Sequence, residues 1–319
     1  MKLNPVLCFI SVFSLFILLG CAAGKEKSNH ALFKNRNEEQ KYINAYNSSL
    51  TLWPVPYTEK DIPTSFGTAH VIVSGPANAE PLVLLHGMDA TSTMWYPNIK
   101  DYSKNYRVYA IDYIMEVGKS SLKENKNLNH DEIVQWYEEI FNALEINNIN
   151  LVGTSRGGWL STLYTIHHKE RIKKLVLLAP VQTFKMISMD SDLINAANFK
   201  IAPSKKRLKK LIDNFSLYPE KVDPKLKNQM YLGNKYSRTK LELLSMTPFS
   251  DDELKSLDLP VLVLVGDHDI LNSIEIVKIA GDKIPEAQGA VVESAGHFLT
   301  IDRTEDVDKR VLEFLSEKN

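Results

Sequence analysis

The sequence predicts an α/β fold, a mostly parallel central sheet with helices on both faces and a helical cap insertion. Three observations carry this. Short runs rich in Val, Ile and Leu are apolar on both faces, as strands of a sheet covered on both sides must be. Segments of helical period separate them, and strand alternating with helix implies parallel strands joined by right-handed crossovers. The alternation breaks once, from about 181 to 258, where Lys, Asn, Ser and Met dominate and the cap is expected.

In chain order, the first segment is "MKLNPVLCFISVFSLFILLGCAAGKEKSNH". Its apolar run, Val6 to Leu19, spans about 14 residues, which suits the core of an export signal, whereas a membrane span needs about 20. Cys21 follows Leu18-Leu19-Gly20, a pattern that resembles the lipobox of bacterial lipoproteins, where cleavage leaves a lipidated cysteine as the first mature residue. Residues 1–24 are therefore read as signal peptide and lipidation site. The other cysteine, Cys8, lies inside the apolar run, so a mature chain beginning at Cys21 has no second thiol to pair with. Cleaved or kept as an anchor, this leader predicts an exported protein tethered to a membrane.

Residues 25–51 are polar, with a weak helical pattern near Tyr42, Ile43 and Tyr46; they read as a tether leading into a surface helix. The folded domain is expected over 52–319. Its strands are "HVIVSG", "PLVLLHG", "RVYAIDY", "INLVGTS", "KKLVLLAP", "PVLVLVGDHD" and "AVVESAGH". Helices are expected over His130–Glu145, capped by Asn129, and over Trp159–His167, Ile274–Ile284 and Thr304–Ser316. In the cap, "KIAPSKKRLKKLIDNF" gathers six basic residues between Lys200 and Lys210, read as a solvated helix face, with attraction of anionic substrates as the alternative.

At 319 residues and 44% hydrophobic, the chain can bury the core of one large domain carrying such an insertion. Its formal net charge is −1 and no basic stripe is interleaved with aromatics, which argues against a nucleic-acid partner. There is no G-x-G-x-x-G, no P-loop and no H-E-x-x-H, so neither a cofactor nor a metal is expected.

The chemistry is concentrated around Gly153-Thr154-Ser155-Arg156-Gly157. A serine between glycines, after an apolar strand and before an amphipathic helix, is expected on a strained turn that projects its hydroxyl from the sheet edge. A serine hydroxyl needs a base within hydrogen-bond reach, and the base needs an orienting carboxylate. Later in the chain Asp267 and Asp269 end one strand and His297 ends the next, in the order Ser, Asp, His. Spacing alone does not choose between the two aspartates. His86, His167, His168 and His268 are read as structural. Backbone donors for a developing oxyanion are expected at Arg156, directly after the nucleophile, and at Met88, after Gly87 has turned the chain.

These residues resemble the α/β-hydrolase superfamily over nearly all of Trp53 to Phe314. The stretches "SLTLWPV", "HVIVSGPANAEPLVLLHG", "TMWYPNI" and "YAIDY" are similar to the bacillary carboxylesterase NP group, esterases acting on arylpropionate esters. The resemblance implies a small-molecule ester substrate, an acyl-enzyme at Ser155 and His297 as base. It also selects Asp269, the fourth residue of G-x-x-D, as the acid. Other reactions of the superfamily, such as peptide, lactone or carbon–carbon bond hydrolysis, are the alternative, as is a tethered binding protein without activity. No oligomeric state follows from the sequence. Three departures from the group stand out: the leader, Met115 where a glycine is expected, and the charged pair Asp89 and Arg156. A cation in the first turn of a helix faces the positive end of its dipole and calls for a partner. The sequence offers Asp89, expected at the substrate, as partner to Arg156 across the rim of the site.

The leader generates the first prediction. Cys21→Ser is expected to release the protein from membranes or to leave it unprocessed, because a diacyl anchor supplies the two chains that stable attachment needs. Mass spectrometry of the mature N-terminus checks it; an unmodified residue other than Cys21 at that end is the contrary result.

Overall fold

The computed structural model describes residues 30–124, 126–187, 197–238 and 245–317. Cys21 and the rest of the leader lie outside the described residues. Among the described residues, no helix is long and apolar enough to cross a membrane.

The sheet contains β1 (Tyr57–Pro63), β2 (Gly67–Ser74), β3 (Glu80–Leu85), β4 (Tyr106–Ile111), β5 (Ser121–Leu122), β6 (Ile149–Thr154), β7 (Ile172–Leu178), β8 (Val261–Gly266) and β9 (Ala287–Val292). Its order is β1-β2-β4-β3-β6-β7-β8-β9, with β5 on the side of β2. From β4 to β9 every pairing is parallel, while β1, β2 and β5 add an antiparallel edge. Alternate residues of the central strands feed two cores. Val83, Leu85, Leu151, Leu175, Leu177 and Val263 face one core, and Leu82, Leu84, Val152, Val176, Leu178 and Leu264 face the other. Burial on both faces is why these strands read as unbroken apolar runs.

The seven expected strands are β2, β3, β4, β6, β7, β8 and β9. Sequence reading missed β1, "YTEKDIP", because it is an edge strand with only Ile62 buried and so carries no apolar pattern. The two-residue β5 is too short to carry one.

The helices are α1 (Arg36–Leu50), α2 (Ile99–Asn105), α3 (His130–Ala143), α4 (Arg156–His167), α5 (Lys205–Phe215), α6 (Pro224–Tyr236), α7 (Asp251–Lys255), α8 (Glu275–Lys283), α9 (Leu299–Asp302) and α10 (Thr304–Ser316). Asn129 and Glu132 close a reciprocal capping box at the start of α3. In the cap, α5 and α6 pack with Phe199 around Leu208, Ile212, Val222 and Leu226, and Ile301 joins this cluster to the body. Lys205, Lys206, Arg207, Lys209 and Lys210 are exposed, as a solvated face requires, but the Lys200 side chain is only 5% exposed.

The helix expected at the N-terminus is α1, exposed on one face and buried on the other. Tyr42 and Tyr46 of α1 are 1% and 0% exposed, and the helix packs along α6. Its buried face is built from Tyr42, Ala45, Tyr46 and Ser49, so hydropathy is low where burial is complete. Tyr42 Oη donates to Val117 O at 3.0 Å, and Gln229 Nε2 of α6 donates to Thr91 Oγ1 at 2.9 Å.

Asp308 of α10 is 2% exposed, with Asn98 Nδ2 donating to its Oδ1 at 2.8 Å. Burial pushes its carboxyl up to about 7. The folded state therefore holds a proton that the unfolded chain has released between roughly pH 4 and pH 7, and stability falls as pH rises through that window. Asp308→Asn is expected to remove this decline, giving a variant more stable than wild type at pH 8 and similar to it at pH 4. Thermal midpoints across that range check it.

Candidate active site

The turn between β6 and α4 carries Ser155 at φ 53° and ψ −119°, a left-handed backbone at a non-glycine residue that costs about 1–3 kcal/mol. Glycines make the turn possible. A Cβ on Gly153 would stand 2.2 Å from Gly157 O, and one on Gly157 would stand 2.2 Å from Leu85 O. The Ser155 amide is fixed by donation to Leu178 O at 2.9 Å, which ties the elbow to the end of β7.

His297 lies past β9, with Nε2 2.9 Å from Ser155 Oγ and Nδ1 3.0 Å from both carboxylate oxygens of Asp269. A carboxylate only accepts, so Nδ1 carries the ring proton and Nε2 is left to accept from the serine hydroxyl. The Asp269 side chain is 0% exposed. Burial alone would raise its pKa, but the His297 ring, the Asn272 side-chain amide and the Leu271 N–H favour the charged form and bring it below the usual value. Asn272 Nδ2 donates at 3.0 Å and Leu271 N at 2.9 Å.

Asp267, the other aspartate at this strand end, is directed elsewhere. It accepts from Ser294 N and Ala295 N, both at 3.0 Å, and so staples the loop leading to His297 onto the end of β8. From the cap, Phe215 stands edge-on to the His297 ring at 5.3 Å, and its carbonyl accepts from Phe298 N at 2.9 Å.

Met88 and Asp89 lie in the loop after β3. A Cβ on Gly87 would come 3.3 Å from Ser155 Cβ, so this loop runs directly against the Ser155 turn. His86 holds it: Nε2 accepts from Tyr113 N at 2.9 Å, leaving the protonated Nδ1 to donate to Gly87 O at 2.8 Å. Burial, helped by the nearby Arg156 cation, pushes His86 down to about 4 and keeps it neutral. Arg156 opens α4, where the first backbone N–H groups have no intrahelical acceptor.

The expected bridge between Asp89 and Arg156 is replaced by a longer arrangement. Arg156 Nη1 donates to Glu116 Oε2 at 2.6 Å, with its guanidinium 4.6 Å from the centre of the Tyr113 ring. Asp89, expected beside the substrate, has its carboxylate bound by Lys200, which also donates to Glu116 Oε1 at 3.1 Å. Nor is this a partly exposed rim, since the four side chains are 3–12% exposed. Glu116 follows Met115 in the β4 loop and reaches Arg156 from there, while Asp89 is taken by a lysine of the cap. Sequence reading missed Glu116, Lys200, Tyr113 and Phe215. One signal was present: Lys200 is separated by four uncharged residues from the basic run starting at Lys205.

Beside Arg156 and Trp159 opens a cavity of about 630 Å³, lined also by Tyr113, Met115, Leu128 and Met246. Its wall includes Arg156, the residue after Ser155, but not Ser155 itself. Among the described residues, no group of three or more His, Cys, Asp or Glu side chains is placed to hold a metal ion.

A family model described as the alpha/beta hydrolase fold matches residues 80–252. The chain is 32% identical to an uncharacterised carboxylesterase, nap, of Bacillus subtilis, an alignment covering 86% of this chain and 92% of that protein. It is also 32% identical to carboxylesterase YbfK of Bacillus subtilis, covering 86% and 93%. Among solved structures, naproxen esterase (carboxylesterase NP) from Bacillus subtilis superposes with a TM-score of 0.82 at 31% identity, over 88% of this chain and 99% of that one.

The two aspartates generate a prediction. Asp269→Asn forces the wrong tautomer on His297 and is expected to lower kcat on a p-nitrophenyl ester by about 10³–10⁴-fold. Asp267→Asn is expected to lower the thermal midpoint and to cost less than about tenfold in kcat, since it loosens a loop without touching the ring. The reverse ranking would move the orienting acid by two positions.

Proposed function

The chain belongs to the α/β-hydrolase family as a carboxylesterase-like enzyme, and from that premise we propose that it cleaves carboxylic esters through an acyl-enzyme formed at Ser155. The observation that carries this reading is the unbroken row of Ser155 Oγ, His297 Nε2, His297 Nδ1 and the Asp269 carboxylate, at 2.9 and 3.0 Å.

In this scheme His297 Nε2 takes the hydroxyl proton as Ser155 Oγ attacks the ester carbonyl. Asp269 holds the ring in the required tautomer and stabilises the imidazolium. The negative charge that develops on the carbonyl oxygen is received by the amides of Met88 and Arg156, which need no reorganisation because their loops are already fixed. Collapse of the tetrahedral intermediate expels the alcohol, to which His297 returns the proton. Water, deprotonated by the same nitrogen, then attacks the acyl-enzyme, and the carboxylic acid leaves with Ser155 restored. The neighbouring cavity has a mixed lining, in which Trp159, Met115 and Leu128 offer an apolar acyl or alcohol portion a surface to pack on. We further propose that lipidated Cys21 tethers the enzyme to a membrane outside the cytoplasm; the lipobox-like leader supports this.

Ser155→Ala is expected to reduce turnover of a short p-nitrophenyl ester below about a hundredth of wild type, with His297→Ala falling to a similar level because triad members act as a unit. The thermal midpoint of Ser155→Ala should stay nearly unchanged. A fluorophosphonate probe should label wild type and not Ser155→Ala; residual turnover near wild type, or labelling at another residue, would sink the assignment.

A further inference from the structure

Four side chains of alternating charge, Asp89, Lys200, Glu116 and Arg156, form one buried row beside the candidate site. The residues at its ends are informative. Asp89 directly follows Met88, and Arg156 directly follows Ser155, so the row begins one residue after one amide assigned to the oxyanion and ends on the residue that carries the other. Asp89, Glu116 and Arg156 belong to loops and a helix at the carboxyl ends of β3, β4 and β6. Lys200 comes from the cap, where residues 197–201 are helical.

We propose that Lys200 is a positioning residue: by bridging Asp89 and Glu116 it fixes the Met88 and Arg156 loops relative to each other, so that a cap residue completes the oxyanion hole of the body. This rests on the ester-cleaving reading above, which gives those two amides their role.

The charges of these four side chains sum to zero, two carboxylates against one ammonium and one guanidinium. Its stiffness follows from burial. Desolvation lowers the pKa of Lys200, yet Asp89 and Glu116 outweigh it and hold the ammonium at about 12. Desolvation raises that of Glu116, yet Lys200 and Arg156 outweigh it and keep the carboxyl well below its usual range. Both groups therefore stay charged at neutral pH. Separating any neighbours in the row then means pulling opposite charges apart in a low dielectric, where attraction is strong and water does not replace the lost partner. Asp89 also sits at φ 59°, so its loop is held in a sparsely populated conformation that an anchored side chain helps to maintain.

The test is steady-state kinetics on a neutral p-nitrophenyl ester with the full enzyme, for wild type, Lys200→Met, Lys200→Arg, Asp89→Asn and the double variant Asp89→Asn/Lys200→Met. Fluorophosphonate labelling and thermal midpoints accompany it. Lys200→Met is expected to lower kcat by about tenfold to hundredfold, part of what loss of one oxyanion donor costs. KM should stay within about twofold, since the interaction acts on the transition state. Lys200→Arg should recover most of kcat. The double variant, which removes one charge of each sign, should lose less than the product of the single losses and be more stable than Lys200→Met alone. An unchanged kcat in Lys200→Met, a raised KM with kcat intact, or multiplicative losses in the double variant would overturn the proposal. If Lys200→Met does not fold, Lys200→Arg and the double variant decide it: a double variant that also fails to fold, or an arginine variant that loses kcat a hundredfold, counts against the row. Labelling keeps the two readings apart. Failure of wild type to label at Ser155 would overturn the ester-cleaving reading itself, whereas normal labelling with no effect at Lys200 overturns only the role of the row.

Discussion

The approach of α4 to the sheet end is the constraint on which the site depends. At Gly157 the helix backbone is so near Leu85 O that no Cβ fits, and at Gly153 the preceding strand is equally close to Gly157 O. The chain can leave β6 and enter α4 in so little space only by passing through a left-handed residue, and that residue is Ser155. Packing of the sheet against the helix thus holds the strained serine in place, at a cost of about 1–3 kcal/mol that the buried faces of β6, β7 and α4 offset. The same closeness places the β3 loop against the serine and leaves the first amides of α4 without intrahelical acceptors.

Parallel strands bring the remaining groups to the same edge. Because β8 and β9 run beside β7 in the same direction, the loops bearing Asp269 and His297 emerge on the side where Ser155 projects. Two aspartates two residues apart then divide the work. Asp269 turns inward and orients the imidazole, while Asp267 turns to the backbone of the following loop and fixes the residues that deliver it. Phe215 adds a contact from the cap, so the His297 ring is held from the body and from above.

The charged row shows how a cap can be coupled to a catalytic body without a large apolar interface at that point. Removing one partner from a buried ion pair costs about 3–5 kcal/mol, because the other charge stays buried and unpaired. Alternating sign makes each member depend on its neighbours, so the row acts as a unit linking the β3 loop, the β4 loop, α4 and the cap. Neutral groups do similar work: Tyr42 of α1 reaches the β4 loop at Val117, and Gln229 of cap helix α6 reaches Thr91 in the loop after β3. Cap and N-terminal helix therefore bear on the same two loops.

Much of this protein was determined locally, and so was legible in the sequence. The central strands show as apolar runs because both faces are buried, α3 and α10 show as amphipathic periods because one face is, and the elbow at Ser155 shows because only glycines tolerate that turn. Chain order and strand ends likewise singled out His297 and the Asp267/Asp269 pair. What only the tertiary structure decided are relations between segments far apart in the chain. Strand β1 has no pattern because its partner supplies its order; α1 hides its burial because its inner face is mostly tyrosine, alanine and serine. Arg156 needed a carboxylate, and proximity in motif pointed to Asp89, but Glu116 is the one that reaches it and Lys200, far along the chain, takes Asp89. A sequence records that a charge is present; which opposite charge it meets depends on where water has been excluded, and that is settled only when the cap closes on the body.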